Sequence, residues 1–337
     1  MKPGAIVLLN FNGEKVLPDF LPSVLQGSSL PIYVIDNGSA DGSLDYLQAY
    51  ERKGSLSVLP LAGNFGFAEG YNRGLAQLKG RYRFFILLNT DVRVTPGWDQ
   101  QLLAFLEQQG SAAFAVQPKI LDAKRPEYFE YAGAAGGFLD QYGFPFCRGR
   151  ILMDCEQDTG QYTDSLTVDW CSGACMAVAA EHFFSLGGFD ADYFAHMEEI
   201  DLCWRARNLG LQLWCLPAVA VYHQGGATLA VAHPKKTFLN IRNSLLMLMD
   251  RSPLASRKRL WRARQLFDLL ASGHFLFQGK WAHVQAVRAG RKAARELLKK
   301  RAEAPQHLRG PISQRQPVLR SVILARYLKG RRRYQAL

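Results

Sequence analysis

Residues 84–91 read FFILLNTD, in which five apolar residues run directly into Asn89, Thr90 and Asp91. An uninterrupted apolar run of this length predicts a strand that is covered on both faces, as in a parallel sheet. Ligands of such sheets lie beyond the carboxyl ends of the strands. Asp91 is therefore a candidate to hold Mg²⁺ or Mn²⁺ against a diphosphate, because these hard ions prefer oxygen ligands, although a turn or a helix N-cap explains the tripeptide equally well.

Strands and helices alternate on both sides of this run. Strands are expected at 5–9, 32–35, 56–59 and 114–116, and amphipathic helices at 17–25, 44–50, 68–78 and 98–108. This alternation predicts an α/β domain with a doubly wound, mainly parallel sheet. Asp36, Asn64 and Asp91 each come after a strand, so we expect them to converge on one crevice.

The second half of the chain is less regular. Glycines and aromatic residues mix between 122 and 167, which indicates irregular hairpins and a mobile loop over the site. Regular structure is expected to resume with a strand at 168–178, helices at 181–186 and 198–208, and a strand at 213–222. From Thr237 onward we expect helices that are broken at Pro253, Pro305, Pro311 and Pro317.

Two motifs at strand ends have side chains that suit a nucleotide or a metal. Asp36, in the sequence DNGS at 36–39, can accept hydrogen bonds from a base imide or from ribose hydroxyls, although this sequence is also an ordinary turn. His223 ends a predicted strand, where a neutral imidazole could complete a Mn²⁺ shell or touch a diphosphate. A lone histidine is more often structural, so both interpretations stay open.

Three carboxylates, Glu198, Glu199 and Asp201, lie at the start of a predicted amphipathic helix. The helix dipole favours negative charge there, which explains some of them but not all three. Transfer of a group to an alcohol needs a base that removes the hydroxyl proton, and a Glu or Asp near a metal site can do this. We assign this base to Glu199 first and to Glu198 second, and expect Asp201 to support the arrangement.

The charge of the chain is strongly divided. The net charge is +12, yet 22 Lys and Arg residues stand against three Asp and Glu residues after position 250, and the first 250 residues are net acidic. The basic region needs an anionic partner, such as a phospholipid surface or a lipid pyrophosphate. Nucleic acid is not expected, because no nucleic-acid motif accompanies the charge.

Leucines and aromatic residues are interspersed with cations between 257 and 281. This pattern suits an amphipathic helix at an anionic bilayer, or equally a helix that packs on the domain with a solvated basic face. The sequence Arg331-Arg332-Arg333 is interpreted as a solvated, lipid-facing tail.

Composition limits the compartment and the type of fold. With 48% hydrophobic residues the chain can bury a large core. No apolar run reaches about 18 residues and no signal peptide is recognisable, so we expect a cytoplasmic protein. The six cysteines include no CxxC pair, which indicates reduced, mostly buried thiols rather than a zinc ribbon or a redox site.

Several sequence blocks, taken together and in this order, resemble the family 2 glycosyltransferases, especially their bacterial rhamnosyltransferase-like branch. They lie within residues 4–245 and comprise VLLNFNG at 7–13, DNGS at 36–39, NFGFA at 64–68, NRG at 72–74, LLNTD at 87–91, SGACM at 172–176, GGFD at 187–190, EEIDLCWR at 198–205, and His223. The strength of the resemblance lies in the ensemble.

The resemblance implies a GT-A fold over 1–245, with a nucleotide-binding half at 1–120 and an acceptor and catalytic half at 121–245, followed by a helical basic region at 246–337. It implies inversion at the anomeric carbon by one direct displacement. The donor would be dTDP-rhamnose or a UDP sugar, and the acceptor a glycan or a lipid-linked sugar. The product would be a bacterial cell-surface polysaccharide such as O-antigen, made at the inner face of the plasma membrane.

The same resemblance implies roles for individual residues. Asp91 and His223 would hold Mn²⁺ or Mg²⁺, and Glu199 would act as the base. The nucleotide would be bound by Asn10, Asn12, Asp36, Asn37, Asn64, Gly66, Asn72 and Asn89. The acceptor would be bound by Trp170, Gly173 and Ala174, although Trp170 is equally well explained as a core tryptophan.

This chain departs from the family pattern in two places. Many GT-A enzymes have two aspartates where this chain has Asn89-Thr90-Asp91, so one fewer carboxylate faces the cation and metal affinity is expected to be modest. The family's usual Glu-Asp pair stands here as Glu198-Glu199, which leaves both glutamates as candidates for the base.

Other classes of protein lack support in the sequence. A sugar nucleotidylyltransferase would open with a glycine-rich loop followed by Arg and Lys, which residues 10–14 do not supply. A dinucleotide oxidoreductase would carry GxGxxG after its first strand. A non-catalytic, membrane-associated scaffold that binds nucleotide sugars stays an alternative, against which the presence of Asp91, Glu199 and His223 argues.

Overall fold

The computed structural model describes residues 1–225, 233–303 and 319–337. Every strand and helix predicted before residue 120 is present, although the last strand extends well past its predicted end at 116. The elements are β1 (Lys2–Asn10), α1 (Leu17–Gly27), β2 (Ile32–Asp36), α2 (Ser43–Glu51), β3 (Ser57–Pro60), α3 (Gly66–Ala76), β4 (Tyr82–Asn89), β5 (Val92–Arg93), α4 (Trp98–Gln109) and β6 (Ala113–Asp122).

The following region contains a second, smaller sheet. Its elements are β7 (Gly137–Leu139), β8 (Pro145–Cys147), β9 (Arg150–Ile151), β10 (Asp154–Cys155), β11 (Leu166–Thr167), β12 (Cys175–Ala179), α5 (Ala180–Ser185), α6 (Glu198–Asn208) and β13 (Gln212–His223). The hairpins expected between 122 and 167 are present, and β7 to β10 form an antiparallel sheet in the order β10-β9-β8-β7.

The strand predicted over 168–178 is wrong in its first part, because only Cys175–Ala179 is extended in the sheet. The Ser172 N–H donates instead to Oε1 of Gln117 at 2.9 Å, and the Ala174 N–H donates to Oγ of Ser172 at 3.2 Å. These side-chain bonds compete with the ladder of the sheet and turn the chain at 172–174.

The central sheet confirms the predicted doubly wound, mainly parallel architecture. Its order is β11-β13-β6-β12-β4-β1-β2-β3, with β5 paired to β13. β4, β1, β2 and β3 run parallel, whereas β12 lies antiparallel between β4 and β6. Alternate residues of β4 enter different apolar clusters, with Phe85 and Leu87 in one and Ile86 and Leu88 in the other. Burial on both faces explains why β4 is a continuous apolar run.

Among the described residues after the sheet, the chain forms four α-helices: α7 (Pro234–Arg251), α8 (Leu254–Phe277), α9 (Trp281–Glu303) and α10 (Val322–Tyr327). The break predicted at Pro253 is confirmed, whereas those at Pro305, Pro311 and Pro317 lie outside the described residues. A division at residue 245 would cut α7, which is continuous to Arg251. Within the described ranges, the structure contains no helix with both the length and the apolar character needed to cross a bilayer.

The C-terminal residues differ from the free tail that we expected. Tyr334 stacks on Phe138 of the small sheet with ring centroids 5.4 Å apart, and its N–H donates to Oε1 of Glu156 at 2.8 Å. Arg332 and Arg333 are exposed beside this anchor. The tail is therefore fastened to the domain, because the aromatic ring that follows the arginines contributes an apolar contact.

Candidate functional site

Three parallel strands of the central sheet end together at one edge. In the register of the sheet, Asn10 of β1 pairs with Asp36 of β2, and Leu9 of β1 pairs with Asn89 of β4. Asp91 follows just after β4, and its Oδ1 atom lies 3.1 Å from Nε2 of His223 at the end of β13. Motifs that are far apart in the sequence thus meet where ligands of such sheets bind.

The Asp36 carboxylate is buried and accepts hydrogen bonds from its neighbours. Its Oδ1 atom accepts from Nδ2 of Asn10 at 2.9 Å and from Oγ of Ser39 at 2.6 Å. Asn10 is itself fully buried, and no described residue bonds to its Oδ1 atom. Asn12 is exposed, and its Oδ1 atom accepts the Ala40 N–H at 2.8 Å. The contacts order this loop, and the Asn10 oxygen is an acceptor that a ligand could satisfy.

Two of the asparagines assigned to the nucleotide are occupied within the protein. The Asn37 amide donates to Oδ1 of Asn64 at 3.2 Å and to the Gly66 carbonyl at 3.0 Å. The Asn72 amide accepts the Phe189 N–H at 2.9 Å and donates to the Phe189 carbonyl at 2.7 Å. In these contacts Asn37 holds the loop that carries Asn64, and Asn72 ties α3 to the segment that precedes α6; contact of either residue with a nucleotide stays a prediction.

Gly66 packs against the same segment. Its φ is +78°, and a Cβ atom added there would lie 2.6 Å from the Phe194 carbonyl oxygen, which accepts the Phe67 N–H at 2.7 Å. Only glycine combines this backbone conformation with so close a contact. Asn64 is exposed beside it, and contact of Asn64 and Gly66 with a nucleotide stays a prediction.

His223 joins Asp91 to Glu130, a residue that sequence analysis missed. The Nδ1 atom of His223 lies 3.2 Å from Oε2 of Glu130. Burial would lower the pKa of His223, but the two carboxylates raise it to about 10. Burial likewise acts to raise the pKa of Asp91, yet His223 holds it below its usual value. The two acidic side chains therefore favour the protonated imidazole, and no local sequence signal links Glu130 to the other two residues.

Asp91 and His223 fit one side of a divalent-ion site. A carboxylate oxygen and an imidazole nitrogen are both ligands of Mn²⁺, and coordination would replace the proton on His223. Within the described ranges, no group of three His, Cys, Asp or Glu side chains is arranged to hold a metal ion. The two residues thus suit an ion that takes its other ligands from a bound diphosphate. Asn89 lies beside them, with Nδ2 3.5 Å from Nε2 of His223.

Glu198 and Glu199 begin α6 in a poorly solvated position. Glu198 is buried and Glu199 is partly exposed, but the Oε2 atom of each is enclosed without a hydrogen-bond partner in the described part of the chain. Burial and the charge of Glu199 raise the pKa of Glu198 well above its usual value, and burial raises the pKa of Glu199 to about 7. A carboxyl group with a pKa near 7 can accept a proton at neutral pH.

The turn at 172–174 connects this helix to the end of β4. A Cβ atom added at Gly173 would lie 3.7 Å from Cβ of Glu199. The Ala174 carbonyl accepts the Asn89 N–H at 2.9 Å. Gly173 and Ala174 therefore lie between the candidate base and the candidate metal ligands, and their contact with an acceptor stays a prediction.

Asp201 has the contacts of a supporting residue rather than of a proton acceptor. It is fully buried and accepts from Nε of Arg205 at 2.8 Å, from Nε of Arg251 at 2.7 Å and from the Tyr193 hydroxyl at 3.1 Å. Burial acts to raise the pKa of Asp201, but the two arginines lower it to about 2. The carboxylate stays ionised in an ion pair that ties α6 to α7.

The segment that leads into α6 is strained, and Asn243 of α7 holds it. Three residues have positive φ angles that only glycine adopts readily, namely Phe194 (+62°), His196 (+70°) and Met197 (+74°). The buried Asn243 amide donates to the carbonyls of Tyr193, Ala195 and His196 at 3.0, 2.9 and 2.7 Å. Sequence analysis missed Asn243, for which the only signal is a polar residue between Leu239 and Leu246 on the buried face of α7.

The assignment of Trp170 to the acceptor is wrong. Trp170 is 2% exposed, its Nε1–H donates to the Phe138 carbonyl at 3.0 Å, and its ring lies against Gly137, where an added Cβ atom would be 2.1 Å away. A ring enclosed in this way presents no face to a sugar. Trp170 is therefore a core residue that packs the small sheet on the central one.

In a comparison with known proteins, residues 5–163 match the family model described as Glycosyl transferase family 2. The chain is 28% identical over 259 residues to the N-acetylglucosaminyl-diphospho-decaprenol L-rhamnosyltransferase of Mycobacterium tuberculosis, which covers 69% of this chain and 82% of that protein. It is 28% identical over 169 residues to the rhamnosyltransferase WbbL of Escherichia coli K12, which covers 48% of this chain and 61% of that protein.

Two solved structures share the fold at low sequence identity. GalNAc-T7 with UDP, GalNAc and Mn²⁺ superimposes with a TM-score of 0.57 at 16% identity, over 79% of this chain and 55% of that one. Residues 1–349 of Staphylococcus aureus TarS in complex with UDP-GlcNAc superimpose with a TM-score of 0.54 at 14% identity, over 89% of this chain and 83% of that one.

Proposed function

We propose that this chain, which belongs to glycosyltransferase family 2, transfers rhamnose from dTDP-rhamnose to a hydroxyl group of a glycan or of a lipid-linked sugar, with inversion at the anomeric carbon. The fold is of the GT-A type. The choice of rhamnose is supported by the names of the two relatives, and a UDP sugar is the other donor to be tested.

One observation carries the proposal. Glu199, with a pKa near 7, lies beside the turn whose Ala174 carbonyl binds Asn89, and Asn89 lies against the Asp91–His223 pair. A proton acceptor is thereby connected, through a short run of packed residues, to the groups that suit a diphosphate and its ion. This arrangement supports transfer to an alcohol, in which the attacking hydroxyl and the leaving diphosphate react at the same carbon.

In the proposed reaction, Glu199 accepts the proton of the acceptor hydroxyl. The hydroxyl oxygen forms a bond to the anomeric carbon while the bond from that carbon to the diphosphate oxygen breaks, and the nucleoside diphosphate leaves with the bonding electron pair. Asp201 holds the helix that carries Glu199 in place through Arg205 and Arg251. Asp36 and Asn10 are assigned to the nucleoside.

Asp91 and His223 would hold the divalent ion, Mn²⁺ or Mg²⁺. When bound, the ion supplies positive charge that stabilises the leaving diphosphate. Glu130, which holds the other imidazole nitrogen of His223, would orient the ring toward the ion. We assign the reaction to the cytoplasmic face of the plasma membrane, in the synthesis of a cell-surface polysaccharide such as O-antigen, with the chain bound there peripherally.

Thermal unfolding with a panel of dTDP, UDP and GDP sugars, each with and without Mn²⁺, tests the donor. A ligand at 100 times its Kd stabilises the folded state by about 2.7 kcal/mol, so a true donor raises the unfolding temperature measurably. We expect dTDP-rhamnose to do so in a Mn²⁺-dependent manner that Asp91→Ala abolishes. No stabilisation by any sugar nucleotide would refute the proposal, and tight binding without transfer to any acceptor would identify a non-catalytic scaffold.

A further inference from the structure

Helix α8 presents an apolar face to solvent. Leu266, Leu269, Leu270 and Phe277 follow one another at helical spacing, and their exposed fractions are 59%, 62%, 61% and 93%. Trp281, at the start of the next helix, is 51% exposed. In a protein surrounded by water on all sides, so long a run of exposed leucines and aromatic residues is unfavourable, and its presence points to a partner.

The opposite face of α8 fixes the helix to the domain. Leu260, Arg264 and Asp268 are buried there. The Arg264 guanidinium donates to Oγ of Ser244 at 2.8 Å, and Phe267 packs on Tyr142 with ring centroids 5.2 Å apart. The helix is thus held with its apolar face outward. The sequence allowed a packed helix with a basic face in solvent, but the face of α8 that lies in solvent is apolar.

Cations lie next to this apolar face. Arg259 and Arg262 are exposed at positions that continue its helical spacing toward the N-terminus of α8. Arg262 also lines a groove of about 460 Å³ between α7, α8 and α9, whose lining includes Trp261 and the cations Arg257, Lys258, Arg262, Arg295 and Lys299. One end of the surface is therefore apolar and the other end is cationic.

We propose that this outer face of α8, together with the cationic groove, docks the protein on an anionic phospholipid bilayer. The leucines and Phe277 enter the boundary between headgroups and acyl chains, and the arginines and lysines bind the lipid phosphates. A second copy of the chain is a poorer occupant, because the region after position 250 has 22 Lys and Arg residues against three Asp and Glu residues, so the contact would set net positive charge against net positive charge. The proposal deepens the proposed function, because it assigns the peripheral membrane binding to one surface of the protein, and it holds whatever sugar is transferred.

Flotation of the full-length protein with vesicles tests this surface. The vesicles are phosphatidylcholine alone or phosphatidylcholine with about 30% phosphatidylglycerol, an anionic content that gives the surface a negative potential. We expect binding to the anionic vesicles and little binding to the neutral ones. Leu269→Ser with Leu270→Ser should lower partitioning about 30-fold or more, because each buried leucine contributes a large apolar area. Arg259→Gln with Arg262→Gln should lower it about 10- to 30-fold at low salt.

The matched control is Met153→Ser with Leu209→Ser, which removes two apolar side chains that are 65% and 51% exposed elsewhere on the surface. Equal partitioning of the parent protein on neutral and anionic vesicles would overturn the proposal, as would a loss in the control as large as in the α8 variants. A sedimentation change in the α8 variants without vesicles would identify a second copy as the occupant instead. Thermal stabilisation by sugar nucleotides is measured on the same samples, so failure of docking and failure of the proposed activity are distinguishable.

Discussion

The two glutamates at the start of α6 should respond in opposite ways to the same substitution. Burial and the charge of Glu199 raise the pKa of Glu198 well above its usual value, which favours the protonated form of Glu198. Glutamine resembles a protonated glutamate in shape and hydrogen bonding, and Glu198→Gln should therefore retain most of the activity. Glu199→Gln removes the proton acceptor and should lower kcat by about 10²- to 10⁴-fold while donor binding persists.

The pH profile follows from the same geometry. Only ionised Glu199 can accept a proton, so activity falls as pH drops through its pKa, which burial raises to about 7. A group with this pKa is about 10% ionised at pH 6 and about 90% ionised at pH 8. Because kcat is proportional to the ionised fraction of Glu199, kcat should rise about ninefold over this range. The Glu198→Gln variant should keep this dependence of kcat on pH, whereas the residual activity of the Glu199→Gln variant should no longer depend on pH in this way.

The assay is initial-rate transfer between pH 5.5 and 9 at saturating donor and saturating Mn²⁺. Saturation with the ion matters because coordination by His223 also requires loss of a proton. Glu296→Gln, which changes a 60% exposed glutamate on α9, is the matched control and should leave kcat unchanged. Loss of activity in Glu198→Gln together with retention in Glu199→Gln would reverse the assignment, and a flat profile in the parent protein would remove the basis for a buried carboxylate base.

Three further outcomes are expected. Asp91→Ala should abolish Mn²⁺-dependent transfer, because the ion loses its carboxylate ligand; full activity of the EDTA-treated variant would show that the metal assignment is wrong. Asn243→Ala should lower the free energy of unfolding by about 2 kcal/mol, because the Ala195 and His196 carbonyls lose the side-chain donor of Asn243, whereas the Tyr193 carbonyl keeps Arg242 as a donor. It should also lower kcat. Denaturant unfolding and transfer rates measure the two effects, and unchanged values in both would contradict the role of Asn243. Gly66→Ala should destabilise the protein more than Gly80→Ala. Both residues have a φ of +78°, but only at Gly66 would the new Cβ atom lie 2.6 Å from a backbone oxygen. Equal shifts in the thermal unfolding temperature would show that the segment around Gly66 moves to relieve the clash.

The order of strands and helices in the first 120 residues was readable from the sequence, because each element is marked by its own periodicity. β4 illustrates this: a strand buried on both faces must be apolar at every position, and the polar residues that follow must mark its end. The order of the elements also predicted that the strands end at a shared edge of the sheet. The structure brings Asp36, Asn89 and Asp91 to this edge. The Glu198–Glu199 pair was recognisable for a similar local reason, as carboxylates at a helix start.

Contacts between distant segments could not be read in this way. Whether Trp170 faces a ligand or the core depends on how the small sheet packs, and whether Asn37 and Asn72 are available depends on which backbone groups come near them. Glu130 and Asn243 contact residues that are far away in the sequence, so no local spacing of residues predicts their roles. The outer face of α8 became recognisable only once the other side of the helix was seen to be covered. Local sequence reports which positions of an element favour burial, but the arrangement of packed elements decides which atoms meet.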